Sequence, residues 1–554
     1  MNFVTKEPIN KGWSSDKKYC VTDENGTRYL LRVSDIAQHD TKQSEFNMMK
    51  QVASFGVPMC QPIEFGTCED GVYSIQSWID GEDAEQVMSG YSDTEQYVYG
   101  LEAGRILRKI HSIPAPATQE DWEIRFNRKM DYKIKKYAEC SIKYENGQAF
   151  IDYINENRHL LKNRPQVYQH GDYHIGNMMI DRGGQLHVID FNRNDYGDPW
   201  EEFNRIVWCA QKAPLFASGM VNGYFDNNVP MEFWRLLALY ISSNTLSSVY
   251  WAIPFGQDEV NTMLNQAKEV LSWYDNMRNP VPTWYFKGYY LQYIDGIPFK
   301  LKSTFDFSFM KEYGTVFKVY DDQDSGNICF GTEKDGQRYF VKFAGAPTEQ
   351  YDAISRLKAS LPIYSDLKHE NLIELIEAKE IGDGFAMVFK WADGDCMGRM
   401  YPAAYRRFIQ LPINDRLAVF SDILSLECVV SRNYVAIDFY DGSIMYDFVN
   451  GKTTICDIDL FRKQPCVNDM GHMWGSSRFQ SPEEHQLGAD IDEITNVYTL
   501  GATAFALFGE YNRTREKWQL SDKLFEIATR AVSDDRANRQ QTIRQFTAEW
   551  EAAQ

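Results

Sequence analysis

The ten cysteines of this 554-residue chain include no C-x-x-C pair. Neither a zinc site nor a redox dithiol is spelled out, and reduced thiols are expected instead of a disulfide framework. No apolar run is long enough to span a bilayer. Residues 1–8 lack the apolar core of a signal peptide, so a cytoplasmic protein with no membrane partner is expected. Low-complexity runs are absent too, which leaves little room for disorder. Positive charge is in deficit: 58 Lys and Arg against 78 Asp and Glu give a net charge of −20. That balance argues against nucleic acid as a partner. It suits a cationic ligand, or simply a soluble acidic surface. What remains is an ordinary globular composition in a chain too long for one core, so two or more domains are expected.

One stretch stands out, His170-Gly171-Asp172-Tyr173-His174-Ile175-Gly176-Asn177, followed by Val188-Ile189-Asp190-Phe191. An Asn comes five residues after Asp172 and a second Asp eighteen residues after it. Such a set suits phosphoryl transfer. Asp172 can accept or orient the proton of an attacking hydroxyl, while Asn177 and Asp190 are oxygen ligands fitted to Mg²⁺ beside phosphates. Asp438, Ser443 and Asp457 repeat the set in weaker form, at offsets of five and nineteen.

Four turns carry the same repetition. Asn25-Gly26 lies between apolar runs at 17–21 and 27–33, and Asp335-Gly336 between runs at 328–332 and 337–343. Both dipeptides tolerate positive φ, which predicts hairpins. Arg32 and Lys342 each follow the turn glycine by six residues. Asp190 and Asp457 likewise follow Gly184 and Gly451 by six. The order of hairpin, basic residue, Asp, hairpin and Asp therefore occurs twice. The interval from Arg32 to Asp172 is 140 positions, against 96 from Lys342 to Asp438. The first half therefore carries extra helical sequence ahead of Asp172, rich in basic and aromatic residues over 130–144. Asn279-Pro280-Val281-Pro282 breaks a helix. A domain boundary is expected near 302, with the aromatic segment 284–299 packed on the first domain.

Residues 1–302 resemble the aminoglycoside phosphotransferase and choline kinase superfamily. The match includes Gly12-Trp13-Ser14-Ser15-Asp16-Lys17-Lys18-Tyr19 as phosphate-covering loop, the strand around Arg32, Glu45 on the next helix, and Ser77-Trp78-Ile79-Asp80-Gly81 as hinge. H-G-D-x-H-x-x-N and I-D-F complete it. The resemblance implies a two-lobed kinase-like fold, ATP or GTP as donor, Mg²⁺ on Asn177 and Asp190, and a small-molecule hydroxyl as acceptor with Asp172 as catalytic group. It puts Ser14, Ser15, Arg32, Glu45, Ser77 and Ile79 around the nucleotide, with Glu45 aiming Arg32. The family usually has Lys at this basic position; Arg keeps the charge but not the shape. His170 and His174 read as loop-ordering groups. Asp195, Asp198, Glu201 and Glu202 would suit an amine-rich acceptor such as an aminoglycoside or amino-alcohol. The bland alternative is that Glu202 holds the catalytic loop and the others are solvated.

Residues 303–554 resemble the eukaryotic-type serine/threonine protein kinase family, through Asp366-Leu367-Lys368-His369-Glu370-Asn371, Ser481-Pro482-Glu483 and Val497-Tyr498-Thr499-Leu500-Gly501. Arg539 is expected to brace Glu483. Departures are specific. Asp321, Asp322 and Asp324 stand in the phosphate loop, where like charge disfavours ATP. Ala436-Ile437-Asp438 stands for His-Arg-Asp, Tyr440 for a Lys, Ser443 for the metal Asn, Asp457-Ile458-Asp459 for Asp-Phe-Gly, and Asn496 for a bracing Asp. Glu349 is the best candidate partner for Lys342. The expected fold class is α+β, two tandem bilobal kinase-like folds, the second a degenerate module with Lys342, Asp438, Ser443 and Asp457 as vestigial or weak site residues. Two alternatives stay open: a protein kinase with a sensing first half, and a non-catalytic scaffold of two kinase-like domains.

Overall fold

The computed structural model describes residues 2–10, 16–287, 290–348, 352–398 and 401–554. The chain forms two compact units, Met1–Gly288 and Tyr289–Gln554. Helices and antiparallel sheets are segregated in each, an α+β architecture.

In the first unit, five antiparallel strands lie in the spatial order Phe3–Ile9, Lys17–Asp23, Arg28–Ser34, Gly71–Ser77, Pro62–Cys68. Gly26 closes the second hairpin at φ 82°. The helix His39–Ser54 buries Phe46, Met49 and Val52. Its opposite face stays polar.

The rest of the unit is mainly helical. Asp93–Ile110 starts at a capping box, in which Ser92 and Glu95 satisfy each other's backbone amides. It crosses Pro214–Phe225 backbone to backbone. A Cβ on Gly100 would meet the Phe216 carbonyl, and one on Gly104 the Met220 carbonyl. Gly219 and Gly223 are hemmed in the same way by Tyr97 and Leu101. The extra sequence ahead of Asp172 forms Trp122–Glu139 and Gln148–Asn157.

The second unit repeats the five-strand order with Thr315–Tyr320, Ile328–Lys334, Gln337–Ala344, Gly384–Lys390 and Leu375–Ile381. Asp335 and Gly336 turn the hairpin at φ 52° and 74°. The expected boundary and the packing of the aromatic segment need correction. Trp284 and Tyr285 belong to the first unit, where Tyr285 lies 4.3 Å from the Trp234 ring. The hairpin Tyr290–Ile294/Ile297–Leu301 belongs to the second, with Phe299 packed on Phe307 at 5.3 Å. The segment divides because its turn, Asp295-Gly296, makes a local hairpin whose apolar face needs its own cover.

All ten cysteines are free. Among the described residues no helix is long and apolar enough to cross a membrane.

One core group of the second unit is out of keeping with its surroundings. Glu427, on Ile413–Val430, is 2% exposed, and neither carboxylate oxygen has a hydrogen-bond partner among the described residues. Burial pushes its carboxyl up to about 8. The folded state then binds more protons than the unfolded one between the ordinary Glu range and pH 8, so stability falls as pH rises through that window. Glu427→Met should remove that slope and stabilise the chain at pH 8 by on the order of 1–3 kcal/mol. Urea unfolding at pH 5.5 and 8 measures it, and an unchanged pH slope in the variant would contradict the assignment.

Candidate active site

Asp172 sits on the loop after the strand Val167–Gln169. Gly171 precedes it at φ 86°, and a Cβ there would strike the Arg193 carbonyl, so the turn requires glycine. Glu202, 2% exposed, accepts the Gly171 amide at 2.8 Å and so holds the loop from outside. His170 is fully buried. Its Nδ1 accepts the Asp172 amide at 3.3 Å and its Nε2 donates to the Ile189 carbonyl at 3.0 Å. Burial keeps this imidazole below its ordinary value, in line with that neutral tautomer. His170 therefore ties the Asp172 loop to the Asp190 segment, as a loop-ordering group would.

Three side chains surround the Asp172 carboxylate: Arg205 Nε at 3.3 Å, Arg193 Nη1 at 3.5 Å and His174 Nε2 at 3.8 Å. Burial would raise this carboxyl, but His174 and the two guanidinium charges together hold it well below the usual carboxylate range. It is a fully charged, weakly basic group. Asn177 donates through Nδ2 to the Asp172 carbonyl at 2.8 Å, which leaves its amide oxygen for another role.

Asp190 takes a left-handed backbone, φ 67°. Arg32 reaches it from the sheet with Nη1 2.9 Å from Oδ1. The same guanidinium holds Asp16 through Nε and Nη2, at 3.2 and 2.9 Å. Asp16 also accepts from Ser34 at 2.8 Å and pairs with Lys42 at 3.3 Å. Glu45 pairs with Lys42 at 3.0 Å, one helical turn away. The expected Glu45–Arg32 pair is thus replaced by Asp16–Arg32, with Lys42 between the two carboxylates. A cavity lined by Asp16, Arg32, Lys42, Glu45, Gln76 and Asp190 marks this junction.

The other expected nucleotide contacts are less informative. Ser14 and Ser15 lie outside the described residues. Ser77 is engaged on both its amide and its hydroxyl by Gln61, at 2.9 and 2.8 Å. Ile79 is buried at the hinge.

Asp198, Glu201 and Glu202 of the acidic cluster after Asp190 are covered, and only Asp195 is exposed. Asp198 is fully buried and gripped by Arg164 at 2.7 and 3.1 Å, with Tyr240 donating at 2.6 Å. Glu201 pairs with Lys129 and Asp195 with Arg125, both at 3.4 Å. Glu202 holds the loop. These partners come from elements far away in sequence, so spacing alone did not reveal them.

The second unit keeps part of this arrangement. Lys342 Nζ lies 2.9 Å from Asp457 and 2.6 Å from Asp459, and Tyr364 donates to Asp459 at 2.6 Å. Glu349 lies outside the described residues; Asp459 takes the place expected of it. Asn496 still braces the loop, accepting from the Ala436 amide at 2.8 Å and donating to the Tyr434 carbonyl at 3.1 Å. Arg539 pairs with Glu483 at 2.7 Å, as expected. The chemistry differs. Asp438 itself takes the positive φ, 62°, that Gly171 supplies in the first unit. Burial, then the charges of Asp457, Asp324 and Glu484, push its carboxyl up to about 7. Ser443 is fully buried, and its hydroxyl has no partner among the described residues.

Glu202 offers a direct test of loop support. Glu202→Ala leaves the buried Gly171 amide unpaired and should cost about 1–3 kcal/mol, with loss of turnover. Glu202→Gln, which retains an acceptor oxygen, should recover most of both. Denaturant unfolding and nucleotide turnover of the two variants measure this, and equal damage from both would contradict it.

Among the described residues no group of three or more His, Cys, Asp or Glu is placed to hold a metal. Mg²⁺ needs no such cage, because it keeps waters and phosphate oxygens. The Asn177 amide oxygen and the free oxygen of Asp190 are hard donors that fit it. Residues 5–236, within the first unit, match the model of the phosphotransferase enzyme family APH, so this unit is similar to kinase-type phosphotransferases.

Proposed function

We propose that the first unit transfers the terminal phosphoryl group of ATP or GTP to a hydroxyl of a small molecule, and that the second unit is a kinase-like binding or regulatory module. The observation that carries this reading is the convergence of Arg32 on Asp190 beside a fully ionised Asp172. Arg32 stands where it can pass from its two carboxylates to nucleotide phosphates. Asn177 and Asp190 would hold Mg²⁺, which supplies charge neutralisation at the phosphates when bound. Asp172 orients the acceptor hydroxyl. As the acceptor oxygen bonds to the γ-phosphorus, the bridging P–O bond breaks and nucleoside diphosphate leaves. The hydroxyl proton is lost to solvent by way of Asp172. A carboxylate of low basicity suffices, because phosphoryl transfer through a loose transition state asks more for position than for proton abstraction.

A protein kinase centred on Asp438 is the second reading, since Lys342, Asp438 and Asp457 remain together. Against it stand an Asp438 half-protonated near neutrality among further carboxylates, and a sealed Ser443. Asp172→Ala should lower nucleotide turnover by about 10² or more, and Asp438→Ala should leave it near wild type. Coupled measurement of diphosphate release decides. The reverse pattern would transfer the activity to the second unit.

A further inference from the structure

Arg125, Lys129 and Lys133 follow one another at four-residue spacing on Trp122–Glu139, which puts them on one helix face. That face meets the segment after Asp190. Arg125 pairs with Asp195, and Lys129 with Glu201. Lys133 continues the row. Among the described residues it takes no ion pair or hydrogen bond, although Glu201 is near enough to act on its charge. Burial, with the charges of Lys129 and Arg205, pushes its ammonium down to about 7. An ammonium held part-buried beside two other cations is unfavourable unless an anion joins it.

The cations reach the reacting group. Arg205, which acts on Lys133, stands 3.3 Å from one Asp172 oxygen. Arg193 stands 3.5 Å from the other, with half its side chain in solvent. The acidic residues of the same region, Asp195, Asp198, Glu201 and Glu202, are each matched by Arg125, Arg164, Lys129 or the Gly171 amide. Arg193 and Arg205 set two positive charges against the one negative charge of Asp172, and Lys133 adds a third, in a chain whose net charge is −20.

We propose that the acceptor is an anion: a hydroxylated small molecule with a carboxylate or phosphate group held by Lys133 and Arg205, Arg193 at the mouth, and its hydroxyl at Asp172. This rests on the phosphotransferase reading and replaces the cationic acceptor that the acidic cluster suggests. Lys and Arg together recognise either anion through charge-assisted hydrogen bonds.

The test uses the full chain with Mg²⁺ and ATP or GTP, and reads diphosphate release. Glycerol is the neutral acceptor; ethanolamine and an aminoglycoside are the cationic ones; glycerate and glycerol 3-phosphate are the anionic ones. The two anions distinguish carboxylate from phosphate. The anions should be preferred. Lys133→Gln should raise the acceptor KM about tenfold or more, the loss of one charged contact, without moving the nucleotide KM, and Lys133→Arg should restore it. Preference for neutral or cationic acceptors, or an acceptor KM indifferent to Lys133→Gln, would overturn the proposal. If nothing is phosphorylated, the phosphotransferase reading fails by itself. Calorimetric titration of the same two anions then decides the anion site: binding lost in Lys133→Gln supports it, and no binding of either anion overturns it.

Discussion

Arg32 joins two parts of the first unit that the chain separates by 158 residues. Its contact with Asp190, at 2.9 Å, ties the antiparallel sheet to the loop that carries the candidate metal ligand. The side chain is largely buried, so the pair is screened little by solvent, and its desolvation must be offset by full coordination. Asp16 provides that coordination with a second, two-point grip. An Arg, with its broad fork, can serve both carboxylates at once where a Lys offers a compact point charge. Nucleotide phosphates would compete for that fork with Asp16. The junction is therefore a stable contact without nucleotide, and under the proposed function phosphate would take the place of Asp16 on the fork.

The second unit solves the same problem with different residues. Lys342 contacts Asp457 at 2.9 Å, the counterpart of the Arg32–Asp190 distance. Its second carboxylate is Asp459, two residues further on, and not a residue preceding the second strand. Because Tyr364 also bonds Asp459, the lysine is held by a network within its own lobes. Asp457, Asp324, Glu484 and Asp459 all act on Asp438, so carboxylates outnumber the one lysine that Asp457 and Asp459 share. Triphosphate would enter that field unfavourably. Retained geometry with altered charge is what separates the second junction from the first.

Where local backbone chemistry decides the conformation, the sequence was legible. Gly26, Gly184, Gly336 and Gly451 all sit at positive φ in the turns read from it, each followed six residues on by the charged side chain that matters. The offsets from Asp172 to Asn177 and Asp190 likewise span a short turn and the hairpin Met178–Asp181/Leu186–Val188. Contacts set by packing between distant elements were not legible. Glu45 is on the expected helix, yet its i−3 neighbour Lys42 claims it. Asp198 looked like a ligand for a cation, yet Arg164 seals it in the core. The segment 284–299 reads as a single apolar stretch, but its first residues belong to the first unit and the hairpin from Tyr290 onward to the second. In each case composition shows the charge or the apolarity, and only the fold shows what neutralises or covers it.

Under the proposed function nucleotide binds at the Arg32–Asp190 junction and not at the Lys342–Asp457 junction. Calorimetric titration of the full chain with Mg²⁺ and a non-hydrolysable triphosphate tests that placement most directly. The account predicts a single binding event, abolished in Asp190→Ala and preserved in Asp457→Ala. Binding that survives Asp190→Ala and disappears in Asp457→Ala would contradict it.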